Sequence, residues 1–96
     1  MTDISVVRSS GLHDARFMGL YADYDNAWVR LALVDKTNEP MEIYVKDVIS
    51  MNMTRNEPWG KGSYVVASDI SENEDHSLLT IELNSGDVIA IRFDNE

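Results

Sequence analysis

Ninety-six residues, 44% of them hydrophobic and 26% charged, are enough for one globular domain with a thin core. Seventeen acidic side chains against eight basic ones leave a formal net charge of −9. That balance argues against direct binding to nucleic acid or to anionic membranes, and it favours encounter with a basic partner. The absence of cysteine excludes disulfide and thiolate chemistry. No apolar stretch approaches the roughly 18 residues of a spanning helix, and Met1-Thr2-Asp3-Ile4 does not read as a signal peptide. A cytoplasmic protein is the resulting expectation.

In chain order, residues Ile4 to Arg8 read as a first strand. Helix is weighed at Leu12–Leu20 and at Val45–Met51, but both stretches are short for one. The alternation across 18–33 instead predicts a hairpin closed by a two-residue primed turn at Asp25-Asn26. Its register would pair Ala22 with Val29, Leu20 with Leu31 and Met18 with Leu33 on an apolar face. Asp23–Trp28, Tyr21–Arg30 and Gly19–Ala32 would then share a mixed face.

After a turn at Asn38-Glu39-Pro40, Met41, Ile43 and Val45 alternate with Glu42 and Tyr44 as a strand. Lys46-Asp47 interrupts it. Val48 to Thr54 continues extended, with Ile49, Met51 and Met53 expected on one side and Ser50 and Asn52 on the other. Residues 56–62 read as a loop, Ser63 to Ile70 as a strand, and Asp69 to Asp75 as a solvated acidic loop.

The last hairpin, Leu79 to Phe93, is the most constrained element. A two-residue turn at Ser85-Gly86 would mix its faces. A three-residue loop, Asn84-Ser85-Gly86, pairs Leu83 with Asp87, Ile81 with Ile89 and Leu79 with Ile91, and puts Gly86 where the loop needs a left-handed residue. The expected fold is all-β: a small antiparallel sandwich or partly open barrel of about seven or eight strands with little helix.

Motifs for chemistry are weak. Gly60-Lys61 lacks the following Ser or Thr and the earlier Gly of a phosphate loop. The run from Asp69 lacks the calcium-loop Gly and the bidentate Glu. His13-Asp14 and Asp75-His76 are neighbours in sequence, which on a strand would point them to opposite faces. No nucleophile elbow occurs. The reading is a non-enzymatic protein without metal or cofactor.

The mixed face of the first hairpin carries Tyr21, Asp23, Trp28 and Arg30, and Tyr44 would join it from the next strand. Tyr, Trp and Arg are the residue types that dominate protein-binding hot spots. Trp59 is a second candidate anchor, while Asp23, Asp25, Glu72, Glu74 and Asp75 would steer a basic partner. In size and composition the chain is similar to small inhibitors, toxin-immunity proteins and phage-encoded anti-defence proteins, a likeness that involves no motif. The expected function is an acidic inhibitor that covers a basic protein surface, with carboxylates in place of phosphates if the target acts on nucleic acid. Self-association through a strand edge is the alternative.

Overall fold

The structure, a computed structural model, describes Val7 and residues 12–95. Among these residues there are seven strands and no α-helix. They are β1 (Arg16–Asp23), β2 (Trp28–Val34), β3 (Pro40–Val45), β4 (Val48–Met53), β5 (Val65–Glu72), β6 (His76–Leu83) and β7 (Val88–Asp94). Two antiparallel sheets result, one ordered β1-β2-β3 and the other β4-β7-β6-β5. The sheets do not close into a barrel. They meet at one corner, where Arg16 bridges to Tyr64 and the Phe17 and Val65 N–H groups donate to Ser63 and Ala15. The expected strand at 4–8 lies outside the described residues except for Val7, which is fully buried and accepts a hydrogen bond from the Ser68 hydroxyl.

The central strands β2 and β6 alternate strictly between buried and half-buried positions, as period-2 patterning requires. Val29, Leu31, Leu33, Ile43 and Val45 line the inner face of one sheet. Val65, Ile70, Leu79, Ile81, Leu83, Ile89 and Ile91 line the other, and Val7, Leu12 and Ala15 complete the core. The β6–β7 register is the expected one, with Leu79 opposite Ile91 and Ile81 opposite Ile89. The Gly86 N–H donates to the Leu83 carbonyl, and the Leu83 N–H to that of Asp87.

Three departures from strict alternation are β-bulges. The β1–β2 register holds from Asp23–Trp28 back to Gly19–Ala32, but a bulge follows, and Leu33 pairs with Phe17 rather than Met18. Met18 is exposed instead of buried. A second bulge lies between Val48 and Ser50, so Ile49 does not share the ladder of Met51 and Met53. The third lies between Val65 and Ala67. All three sit on the edge strands β1, β4 and β5, where an extra residue bends the strand and disrupts pairing.

The turns also differ from expectation in places. The first hairpin closes through the four residues Tyr24–Ala27, with positive φ on Ala27 and not on Asp25 or Asn26. The Asp23 carboxylate builds this turn by accepting from the Asn26 backbone and side-chain N–H groups. Such a cap makes the primed turn unnecessary. Pro40 begins β3 rather than closing the turn, which is organised by Asp35 accepting from Thr37 and Glu39. The 69–75 segment is mostly strand, because β5 runs to Glu72 and only residues 73–75 turn.

The crossover from β4 to β5 joins opposite edges of the four-stranded sheet and passes the β6–β7 turn. Asp87, 3% exposed, fastens it there. Its carboxylate accepts from the Thr54 hydroxyl (2.9 Å), the Asn56 N–H (2.7 Å), the Glu57 N–H (3.0 Å) and the Ser85 hydroxyl (2.9 Å). Burial alone would raise the Asp87 pKa, but these four hydrogen bonds outweigh it and hold the group below the ordinary carboxylate value. A depressed pKa adds stability that is present above the unfolded-state value and lost as pH falls through the folded one. Asp23 and Asp35 are shifted down by their turn hydrogen bonds and contribute in the same acid window. Asp87→Asn is therefore expected to flatten the acid limb of a melting-temperature profile below the carboxylate range.

Gly86 and Gly60 both have positive φ (+91° and +95°), but their surroundings differ. A Cβ at Gly86 would lie 2.7 Å from Pro58 Cγ and 3.1 Å from Trp59 Cδ2, whereas one at Gly60 would meet nothing within 4 Å. Gly60→Ala should cost about 1 kcal/mol from backbone strain, and Gly86→Ala distinctly more, in chemical denaturation.

Candidate functional site

The outer face of the three-stranded sheet carries the aromatic cluster. Parity along β1 turns Tyr21 and Asp23 outward, and the registers set Trp28 beside Asp23, Arg30 beside Tyr21, and Tyr44 beside Arg30. The indole of Trp28 lies between two phenols, with ring centroids 5.6 Å from both Tyr21 and Tyr44. Both contacts are tilted, at 38° and 53°, within the favourable range for aromatic pairs. The Arg30 guanidinium stands 5.7 Å from the Tyr21 ring centroid and 3.2 Å from Glu42 Oε2. The cation is thereby held between the Tyr21 ring and the Glu42 carboxylate.

These contacts form one continuous stripe across three strands: Tyr21, Trp28, Tyr44, Arg30 and Glu42. Glu42 belongs to it although sequence reasoning did not choose it; period 2 from Tyr44 would have identified it. Beside Trp28 and Tyr44 an open depression continues, lined also by Asn26, Lys46 and Asp47. The last two looked only like a strand break. Tyr21 is 54% exposed, and Tyr24 at the turn tip is 96% exposed.

The remaining candidate residues divide between the two ends of the sandwich. The β1–β2 turn with Asp25, the β3–β4 link, the end of β7 and the β5–β6 turn share one end. The Val48 N–H donates to Ala27, that of Asp94 to Asp47, and the Asn95 amide to the Asn73 and Glu74 carbonyls. This arrangement gathers Asp23, Asp25, Asp47, Glu72, Glu74, Asp75 and Asp94 at that end, with Lys46 among them. Asp23 is committed to its own turn through Asn26, which also keeps its pKa low. Glu72, Glu74 and Asp75 lie on the other sheet from the aromatic stripe but at the same end of the molecule.

Trp59 is elsewhere. Its N–H donates to the Ser85 carbonyl at the β6–β7 turn, the far end of β6 from the acidic turn. An eight-residue strand separates the two by about 26 Å. Trp59 is 70% exposed there, packed by one face on the Gly86 turn. Arg16, Arg55 and Lys61 line an open concavity at that end together with Glu57, which lies 3.9 Å from Arg55, so this end is less acidic than the other.

His13 Nδ1 lies 3.3 Å from Asp14 Oδ2, because Asp14 has φ of 69° and the pair sits in a turn rather than on a strand. His76 opens β6 at the opposite end from the Asp14–Val65 contact, so the two histidines do not converge. Among the described residues no three His, Cys, Asp or Glu side chains are placed to hold a metal, and no helix is long and apolar enough to cross a membrane. No model of a known protein family, no curated protein and no solved structure matches this chain.

The Arg30–Glu42 pair is 41% and 46% exposed, so its Coulomb energy is screened by water. Glu42→Gln is expected to change stability by less than about 1 kcal/mol in denaturant unfolding, an effect that added salt should erase.

Proposed function

We propose that this chain is a non-enzymatic protein-binding module whose contact surface is the Tyr21–Trp28–Tyr44 stripe. The observation that carries this reading is the stripe itself. Three aromatic rings and one arginine are aligned on an outer sheet face, supported from below by β2 and partly open to solvent. Rigid aromatic side chains bury large area at low entropic cost, and Trp, Tyr and Arg are the residues whose truncation most often weakens complexes.

The partner is a protein with a basic surface. Seven carboxylates at the end beside the stripe would accelerate encounter with such a target and orient it, while the aromatic rings would supply the desolvated contact. An inhibitor of the toxin-immunity or phage anti-defence kind fits this division of labour. Against an enzyme acting on nucleic acid, Glu72, Glu74 and Asp75 would occupy positions meant for phosphates. Trp59, at the other end, is outside this contact.

The test is affinity capture of protein partners from a lysate of the source cells, using the wild-type chain and variants at low and high salt. Trp28→Ala should weaken the captured complex by about 2 kcal/mol or more, roughly 30-fold. Reversing Glu74 and Asp75 to Lys should slow association and reduce its salt dependence. Equal capture by wild type and Trp28→Ala would refute the stripe as the contact surface, and binding indifferent to salt would refute steering by the acidic end.

A further inference from the structure

Cations are scarce in this chain, and three of the eight, Arg16, Arg55 and Lys61, line the open concavity beside the crossover. Acidic side chains outnumber basic ones by 17 to 8 overall, yet among the lining residues the order is reversed and Glu57 is the one carboxylate. Glu57 stands 3.9 Å from Arg55. The ion pairs among the described residues are His13–Asp14, Arg30–Glu42 and Arg55–Glu57, and none of them engages Arg16 or Lys61. Two cations without a carboxylate partner, in a chain so rich in carboxylates, are available to an anion from outside.

The neutral groups of the lining are donors, and the fold holds them there. Arg16 opens β1 at the corner bridge to Tyr64, and its Nε donates to the Ser63 hydroxyl at 3.4 Å. That hydroxyl keeps its own proton to donate. The Asn84 Oδ1 accepts from the Tyr64 N–H at 3.2 Å, which leaves the amide NH2 as the uncommitted end of the side chain. A Cβ on Gly62 would collide with this amide and displace it. Donors therefore reach one concavity from β1, from the crossover and from the β6–β7 turn. The Gly60-Lys61 pair lacks the phosphate-loop pattern in sequence, but the tertiary structure supplies Lys61 with other anion-binding groups.

We infer that this concavity binds a small ligand through a phosphate group. Three cations less one carboxylate leave a lining charge of +2, which a phosphate dianion neutralises. Its several oxygens suit separate donors from three elements better than a planar carboxylate does. The volume, about 590 Å³, lies in the range of small-molecule sites. Size also follows from charge. An extended polyanion would run beyond the concavity onto the surface of a chain carrying −9, whereas a small ligand feels chiefly the charges within a screening length of about 8 Å. The site shares no residue with the aromatic stripe, so this inference does not depend on the proposed partner binding.

The test is titration of the full chain with inorganic phosphate and with glycerol phosphate at constant ionic strength, followed by amide NMR. Saturable shifts are expected at Gly62 and at the Asn84 side-chain amide, with a Kd on the order of 1 mM. Arg16→Gln and Lys61→Gln should each weaken binding roughly tenfold, the loss of one charge-assisted hydrogen bond. Arg92→Gln, which removes the same charge from β7 opposite Leu78, should leave it unchanged. Tighter binding of the ester would assign the site to a phosphorylated small molecule, and tighter binding of the ion to phosphate itself. Shifts that never saturate, or a Lys61→Gln chain that binds no more weakly than Arg92→Gln, would overturn the inference. So would a short oligonucleotide that binds more tightly than both probes.

Discussion

The buried carboxylate of Asp87 is the contact on which one end of this molecule depends. A chain that leaves β4 on one edge of a sheet and must enter β5 on the other has to cross the ends of the strands between them. A crossing segment of about ten residues without secondary structure carries backbone donors that need partners. Asp87 supplies them at a single point, taking two backbone N–H groups and two hydroxyls. Ser85 adds its carbonyl for Trp59, and Asn84 closes on Tyr64 through both its backbone and its side chain. The β6–β7 turn thus ties the crossover down and, through Tyr64 and Arg16, reaches the corner where the two sheets join.

The opposite end is held differently. There the turns bond to one another through the backbone, and Asn95 bridges Ser77 to the β5–β6 turn. Asp25, Glu74 and Asp75 are exposed there, while the Asp23 carboxylate is committed to its own turn. The two ends differ in charge: carboxylates collect at this end, whereas Arg16, Arg55 and Lys61 surround the concavity by the crossover together with Glu57. An acidic protein need not be evenly acidic, and its field is directional as a result.

The aromatic stripe follows from the same economy of a small sandwich. A three-stranded sheet has one face for the core and one face left over. On the leftover face the cross-strand neighbours Tyr21, Arg30 and Tyr44, with Trp28 between the two phenols, satisfy one another by ring contact and cation–π attraction without leaving the surface. The platform is rigid because β2 lies at its centre with a strand on either side.

Much of this was legible in the sequence. Alternation determined the inner rows of β2 and of the last hairpin, the three-residue turn at Gly86, and the grouping of Tyr21, Asp23, Trp28, Arg30 and Tyr44, since period 2 and a turn length set which side chains share a face; on β1 the expected inner residues Met18 and Ala22 are exposed. Tertiary structure alone decided the bulges at Met18, Ile49 and Val66, because inserting one residue on an edge strand changes its pairing without changing the local pattern of apolar residues. It alone decided that Trp59 and the acidic turn belong to opposite ends, and that Asp87 is a buried anchor rather than one more surface carboxylate. Burial of a charge depends on donors thirty residues away in the chain, and no local reading of Gly86-Asp87 contains them.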